Sequence, residues 1–485
     1  GGTVIDALVV AWAASTVVLG HATSIGGDFF LLYREAASGR TFGLNASGVA
    51  PAAATPAVFA EGMKTHGPLA PVVPGIVRGW EVLHRRYGRL AWKTLFEDAI
   101  ALAHAHPISQ VLANRIALQR DLLAGDPGCA ALYLPGGRPV AAGETLRQPA
   151  LAATLQRIAE GGADAFYFGE MAAKIESYFA RHGGLLRASD LAGFAPLWVE
   201  PAATTYREHR VRVMPPNSYG VLLLMQLNGL AALDSATLTR DPVHRLAYQM
   251  SAMKAAFAEG RPEIADPAAA AGAVERLLSP AMTAKMQAAV RDGIAAAPVR
   301  DSTGTSCLVF ADREGNAVTM VQSVFNPFGS AFLEPETGIL FNNRMHGFTH
   351  LPGRANSVGP GKRPAHTLCP VMVERGDRLR FALASPGGLS QTLTNAQVLC
   401  RLLDEGLDVA AAVEAPRWCN TRGGELLIER EFPESMIATL AALGHKVRRA
   451  DDGYYYGSAK AIELLPSGNL AGAGDHRREA FAGGF

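Results

Sequence analysis

A mixed α/β (α+β) fold is predicted by three features of the 485-residue sequence. Hydrophobic residues make up 49% and charged residues 18%, which suits a chain with a large core and sets aside disorder and a coiled coil. Helical periodicity runs through 70–130 and 150–182. After Gly304 the texture changes to short apolar runs broken by turn residues, the pattern of strands. The length corresponds to roughly two to three domain-sized units.

The elements follow in order from local pattern. Residues 3–20, rich in Ala, Val and Leu, read as a core helix, which Gly26-Gly27 joins to an apolar strand from Phe29 to Tyr33. The apolar stretch Ala7–Leu19 is broken by Ser15 and Thr16 and falls short of the roughly 18 residues a membrane span needs. No basic segment precedes it, so it is not a signal peptide. The chain opens on Gly1-Gly2-Thr3 without an initiator Met; an upstream segment is expected and the compartment is not readable. Val211-Arg212-Val213 forms a strand that leads through Met214-Pro215-Pro216-Asn217-Ser218-Tyr219-Gly220 into an apolar helix, and 243–259 form another. Pro267–Gly272 and 292–304 have linker composition. Thr305–Phe310 and Ala317–Phe325 flank Asp312-Arg313-Glu314-Gly315-Asn316 as a β-hairpin. Strand runs follow at 338–342 and 380–384, helices at 389–405 and 408–414, and short strands at 425–429 and 459–464.

Charge and cysteine usage narrow the function. With 45 Lys+Arg against 44 Asp+Glu the net charge is +1, which supplies no field for nucleic acid or an anionic membrane and leaves a small molecule as the expected partner. The five cysteines, Cys129, Cys307, Cys369, Cys400 and Cys419, form no CxxC pair and no zinc spacing, so buried thiols are expected and no metal site. No HExxH, P-loop, GxGxxG or GxSxG motif is present. Ser385-Pro386-Gly387-Gly388-Leu389-Ser390 lies between a strand and a helix, where backbone amides can donate to an oxyanion; a purely structural glycine turn is the competing reading.

Thr305 stands where the linker-like segment meets the hairpin. A threonine hydroxyl is a weak nucleophile, but cleavage of the preceding peptide bond would free an α-amine of pKa about 7.7–8.0 as a built-in general base. Position alone does not separate this from ordinary β-propensity.

Resemblance separates them. Thr305 through Val318, Phe328-Gly329, Gly338-Ile339-Leu340-Phe341-Asn342-Asn343, Gly361-Lys362-Arg363-Pro364, Ser385-Pro386-Gly387-Gly388 and Glu414-Ala415-Pro416-Arg417 together resemble, in order and spacing, the small subunit of the γ-glutamyltranspeptidase family. Gly1 to Ala7, Ile25-Gly26-Gly27, Pro74-Gly75, Gly183-Gly184 with Asp190-Leu191, and Met214-Pro215-Pro216 resemble its large subunit. The resemblance implies an N-terminal nucleophile hydrolase, a four-layer αββα sandwich made as one precursor without a cofactor. Cleavage between Gly304 and Thr305 would give a large-subunit segment, 1–304, and a small-subunit segment, 305–485, interleaved as one globule. It implies Thr305 as nucleophile, Gly387 and Gly388 amides as the oxyanion site, and water or an amine as acceptor. Ser323 falls where the family has a second hydroxyl beside the nucleophile; the competing reading is a solvent-facing strand serine.

The donor pocket departs from the family pattern. The family's arginine position falls near Ser47, in a segment without a cation, and its paired serines become His366-Thr367. After Asn342-Asn343 the family's amide and acid are replaced by Arg344-Met345-His346-Gly347, so the acid is gone and an arginine has appeared. A substrate ammonium would then lie unpaired, whereas Arg344 can take a carboxylate in a bidentate pair. Expected substrate contacts are therefore Arg344, His346, His366, Thr367 and Ser47, with His21 a further polar candidate, and the acyl group resembles the glutaryl side chains accepted by related acylases. Two alternatives stay open: Arg344 in an outward structural ion pair, or Glu334 or Glu336 restoring the acid. The segment between Gly347 and Lys362 is short, which suggests that the family's extended lid loop is absent and favours hydrolysis over transpeptidation. The alternative function is a catalytically idle relative serving in binding or structure.

Overall fold

The computed structural model describes residues 1–292, 304–420, 425–451 and 453–484. The described strands that form the two main sheets are β1 (Asp28–Glu35), β2 (Arg40–Ala46), β3 (Leu197–Val199), β4 (Ala202–Tyr206), β5 (His209–Val213), β6 (Gly304–Ala311), β7 (Ala317–Phe325), β8 (Val371–Arg375), β9 (Arg378–Ala384), β10 (Lys460–Leu464) and β11 (Leu470–Gly474). One sheet is five-stranded in the order β3-β2-β1-β7-β6, the other six-stranded in the order β11-β10-β9-β8-β5-β4. Every neighbouring pair in both is antiparallel.

The run Phe29-Phe30-Leu31-Leu32 is apolar without a break because β1 is covered on both faces. Phe30 and Leu32 point between the sheets and meet Met372, Ala382 and Ala384 of the second sheet, along with Cys307 and Val321. Phe29, Leu31 and Tyr33 point the other way, into a helical layer built by α1 (Val4–Val18), α2 (Ile76–Tyr87), α3 (Glu97–His104), α4 (Pro149–Gly161) and α5 (Gly169–Arg181). The outer face of the second sheet, with Val211, Val213, Val371, Val373 and Leu383, is covered by α6 (Gly220–Leu230), α7 (Pro242–Gly260), α8 (Pro280–Asp292) and α9 (Ser390–Leu403). The layers are therefore helix, sheet, sheet, helix. Strands from before and after residue 304 share both sheets: β6 and β7 extend the sheet begun by β1, and β8 lies against β5.

The predicted helices and the hairpin appear with bounds close to those read from pattern. Helix α1 starts on a capping box in which Thr3 Oγ1 accepts the Asp6 amide at 3.3 Å and Asp6 accepts the Thr3 amide at 2.8 Å, an arrangement worth about 1 kcal/mol. All five cysteines are buried. Pro267–Gly272, linker-like by composition, is a packed turn with Ala270 buried against Ala265 and Ala273. Most of the second linker-like segment, 293–303, lies outside the described residues. The 338–342 strand shortens to Ile339–Leu340. Strand β2 escapes pattern reading because Gly43 interrupts it; a Cβ there would come within 2.8 Å of Val199 and 2.9 Å of Met214. No helix among the described residues is long and apolar enough to cross a membrane.

Candidate active site

Thr305 sits in a β-bulge. Gly304 pairs with Phe325 and Ser306 with Gln322, so the register slips at Thr305, which re-aims its side chain relative to a regular strand. It is buried, and its Oγ1 lies 3.0 Å from Ser323 Oγ on β7. Ser323 Oγ in turn accepts the Phe325 amide at 2.7 Å, which fixes the hydroxyl beside Thr305. Ser323 is fully buried, so the solvent-facing alternative does not apply.

The end of β9 is laid over β6 close to this residue. Cys307 Sγ contacts the Ala384 carbonyl at 3.4 Å, and Thr319 Oγ1 donates to the Leu383 carbonyl at 3.1 Å. The chain then turns through Gly387 at φ +133° and Gly388 at φ +58°, geometry that L side chains adopt only with strain. Their carbonyls accept the amides of Ser390 and Gln391 and open α9, while their own amides donate to no group among the described residues. A loop braces the turn from behind: the Ser458 amide donates to Ser385 Oγ at 3.2 Å, and Arg417, fully buried, pairs with Asp475 and donates to the Tyr456 carbonyl at 3.3 Å. Arg417 is the arginine of the Glu414–Arg417 motif.

The predicted pocket residues divide. Arg344 is fully buried, turned inward, with Nε 3.1 Å from Asp28 Oδ1, while neither Nη nitrogen has a hydrogen-bond partner among the described residues. The outward ion-pair alternative is thus replaced by an inward one. The Phe325 ring covers one face of the guanidinium, 4.4 Å from Cζ to the centroid. His346 lies beside the same ring at 6.1 Å, with Nδ1 3.4 Å from Thr65 Oγ1. Thr367 is buried, and its Oγ1 has no hydrogen-bond partner among the described residues.

Two candidates are already engaged. His366 Nε2 donates to Asp28 Oδ2 at 2.8 Å, and its Nδ1 accepts the Leu368 amide at 3.4 Å, so both ring nitrogens are used and the neutral tautomer is defined. Within the cluster it is bonded to Asp28 on the oxygen that Arg344 does not take. Ser47 Oγ donates to Asn45 Oδ1 at 2.6 Å and accepts Asn217 Nδ2 at 3.1 Å, so the hydroxyl expected to meet substrate joins β2 to the 215–219 segment. His21 packs on Phe328 instead of joining the cluster.

The acid missing after Asn342-Asn343 has no substitute within that segment, but a carboxylate from another strand stands beside Arg344. Asp28, at the start of β1 and directly across from Ser323, supplies a buried carboxylate. The sequence carried a signal for it: an aspartate heads a strand otherwise apolar on both faces, and such residues are rarely buried without partners. Glu334 and Glu336 do not fill this place; Glu334 accepts the Thr337 amide at 2.7 Å within its own turn, and Glu336 pairs with Lys174 at 3.4 Å.

Burial raises the cost of charge on all three members of the cluster. For Asp28 it opposes ionisation, but Arg344 and His366 overcome it and hold the carboxyl below its usual range. His366 is pushed down to about 4 by burial first and by Arg344 second, against the pull of Asp28. The cluster at neutral pH is therefore a carboxylate, a guanidinium and a neutral imidazole. Two open surface grooves, one around Arg157 and Phe168 and the other around Arg120 and Pro135, contain none of these residues. Among the described residues, no group of His, Cys, Asp and Glu side chains is arranged to hold a metal ion.

The model of the γ-glutamyltranspeptidase family matches residues 1–485. The chain belongs to that family. It is 34% identical to an acylase ACY 1 proenzyme of Pseudomonas sp. (strain SE83), over 100% of this chain and 90% of the relative. It is 32% identical to the glutathione hydrolase-like YwrD proenzyme of Bacillus subtilis (strain 168), over 100% of this chain and 94% of the relative. The crystal structure of cephalosporin acylase from Bacillus halodurans superposes with a TM-score of 0.92 at 33% identity, covering 99% of this chain and 91% of that one. The four-layer arrangement is accordingly the N-terminal nucleophile hydrolase fold, and the protein is a γ-glutamyltransferase/hydrolase-like amidohydrolase whose relatives are made as proenzymes.

Proposed function

We propose that this family member cleaves itself between Gly304 and Thr305 and then hydrolyses amides whose acyl part ends in a carboxylate, such as glutaryl amides. In the maturation step Thr305 Oγ would attack the Gly304 carbonyl carbon, the Gly304–Thr305 C–N bond would break to leave an ester, and water would hydrolyse that ester. The products are a carboxylate on Gly304 and a free α-amine on Thr305. In turnover Thr305 Oγ attacks the substrate carbonyl while the α-amine takes its proton and passes it to the departing amine. Water, activated by the same amine, then releases the acid. The Gly387 and Gly388 amides, without acceptors of their own, suit the tetrahedral oxyanion. Ser323, 3.0 Å from Thr305 Oγ1, orients the attacking hydroxyl. The segments 1–304 and 305–485 would be the two subunits of one interleaved globule.

One observation carries the acyl preference: a fully buried guanidinium whose two Nη nitrogens have no partner among the described residues. A buried donor left without an acceptor is costly, and a carboxylate meets both nitrogens as a bidentate partner. Asp28 cannot serve a substrate ammonium as readily, because Arg344 takes Oδ1 while His366 and the Gly48 amide, at 3.4 Å, take Oδ2. The site thus supports an acyl chain with a terminal carboxylate and no α-amine. The short segment from Gly347 to Lys362 agrees with access for water and a bulky leaving group.

Purified protein on a denaturing gel should show bands of about 33 and 20 kDa, from roughly 110 Da per residue. The smaller should begin Thr-Ser-Cys. Glutaryl-p-nitroanilide should be hydrolysed faster than γ-glutamyl-p-nitroanilide; the opposite ranking removes Arg344 as the clamp.

A further inference from the structure

We infer that Phe325 is a specificity-determining residue that holds Arg344 for the substrate carboxylate and ties that clamp to the nucleophile, an assignment that rests on the acyl preference proposed above. Two sides of the Arg344 guanidinium are occupied by the fold and a third is left open. Asp28 takes the Nε edge, the Phe325 ring takes a face, and the Nη edge is left unpaired. A flat cation held by an edge and a face keeps its remaining edge in one plane, the condition for two parallel N–H···O bonds to a carboxylate.

The backbone of Phe325 shows that its ring position is imposed. Its φ is +84°, a left-handed value that a bulky side chain reaches only at a cost, and such residues persist where surrounding contacts over-determine them. Here the Phe325 amide is locked onto Ser323 Oγ at 2.7 Å, the oxygen that also meets Thr305. Phe325 further stands across the ladder from Gly304. One residue therefore touches the clamp through its ring, the nucleophile's partner through its amide, and the strand position beside the scissile bond through its pairing. His346, 6.1 Å from the ring, backs the same side chain. An aliphatic residue would fill the space without attracting the cation, whereas tyrosine keeps the π-face.

The test compares glutaryl-p-nitroanilide with pentanoyl-p-nitroanilide, which has the same chain length and no charge. In Phe325→Leu the ratio of kcat/KM for glutaryl over pentanoyl should fall about 3- to 30-fold, carried mainly by a rise in KM for the glutaryl substrate. Phe325→Tyr should retain the wild-type ratio. A purely packing role would lower both substrates together and leave the ratio unchanged, which overturns the assignment, as does a Tyr variant that behaves like Leu. A wild type with no glutaryl preference refutes the carboxylate pocket itself; a wild-type preference that survives in Phe325→Leu refutes Phe325 alone. If Phe325→Leu remains one chain, the rise in melting temperature with glutaramate relative to uncharged pentanamide is read on that precursor. Loss of the glutaramate-specific rise supports the assignment and its retention overturns it.

Discussion

Replacing Asp28 by Asn should destabilise the protein far more than its one-atom change suggests, and removing Arg344 as well should restore most of the loss. Asp28 is fully buried and carries the sole countercharge placed on the Arg344 guanidinium among the described ion pairs. The pair costs desolvation on both sides, so its net value is small, but breaking one half leaves a buried cation that nothing compensates. Such breakage costs about 3–5 kcal/mol. His366 adds to the penalty, because an Asn that turns its amide toward Nε2 sets a donor against a donor where Oδ2 now accepts at 2.8 Å. The cleanest background is Thr305→Ala, which on the proposed chemistry keeps a single chain and removes processing from the comparison. With a urea slope of about 3 kcal/mol/M, the Asp28→Asn midpoint should drop by about 1 M or more. In Asp28→Asn/Arg344→Met the unpaired cation is gone and a side chain of similar length fills the site, so stability should lie well above the sum of the single effects. A midpoint loss for Asp28→Asn below about 0.3 M, or a double variant at or below additivity, would refute the reading of this cluster as a buried, mutually neutralising pair.

Thr305→Ala should migrate as one band and resist acylating inhibitors that label wild type; labelling of the variant at another residue would remove Thr305 as nucleophile. Ser323→Ala deletes the hydroxyl 3.0 Å from Thr305 Oγ1 and should slow turnover by about 5- to 30-fold with little change in KM, measured on whatever fraction is processed. Gly388→Ala forces a β-carbon onto a residue at φ +58°, with a conformational cost of about 1–2 kcal/mol, and should lower kcat more than it raises KM if this turn holds the oxyanion. Acid should destabilise the fold through His366, whose folded value of about 4 lies below its ordinary 6.5. The unfolded chain binds a proton that the folded one refuses, so stability falls as pH drops from 6.5 and levels off below 4, at about 1.4 kcal/mol per pH unit in between. His21, pushed down to about 3 by burial and then by Arg115 and Arg478, adds in the same direction. Melting temperatures between pH 7 and pH 4 check the sign; a fold that gains stability over that range contradicts it.

The fold was legible where one physical signal dominated. Helix α1 is apolar on every side and capped at Thr3, and β6 and β7 enclose a turn whose Gly315 takes φ +91°, so composition and turn chemistry point the same way. Strands β2, β4, β8 and β11 were missed because their stability comes from neighbours: β8 is held between β5 and β9, and β11 reaches the sheet only through β10. No local window contains those partners. The linker reading of Pro267–Gly272 failed for a related reason, since alanine-rich sequence is equally suited to a flexible tether and to close packing, and Ala270 is packed.

At the candidate site, residue partnership was not legible in the sequence. The Thr305 bulge and the left-handed Phe325 arise where the two hairpin strands slip in register, and Ser47 is engaged by Asn45 and the distant Asn217; each changes what the side chain can do. Asp28 shows why this matters for chemistry. Counting charges along the 342–347 segment finds a lone arginine and suggests a pocket with a net positive charge. Register brings Asp28 across from Ser323, and the positive charge is cancelled before any substrate arrives. Attraction of a carboxylate then depends less on net charge than on two unsatisfied N–H edges in a dry site, so selectivity should rest on shape and hydrogen bonding more than on long-range steering. Salt should therefore weaken the glutaryl preference only slightly, because buried pairs are poorly screened at a Debye length of about 8 Å. A preference that collapses between 0.05 and 0.5 M NaCl, about a threefold change in Debye length, would instead place the deciding charges at the surface.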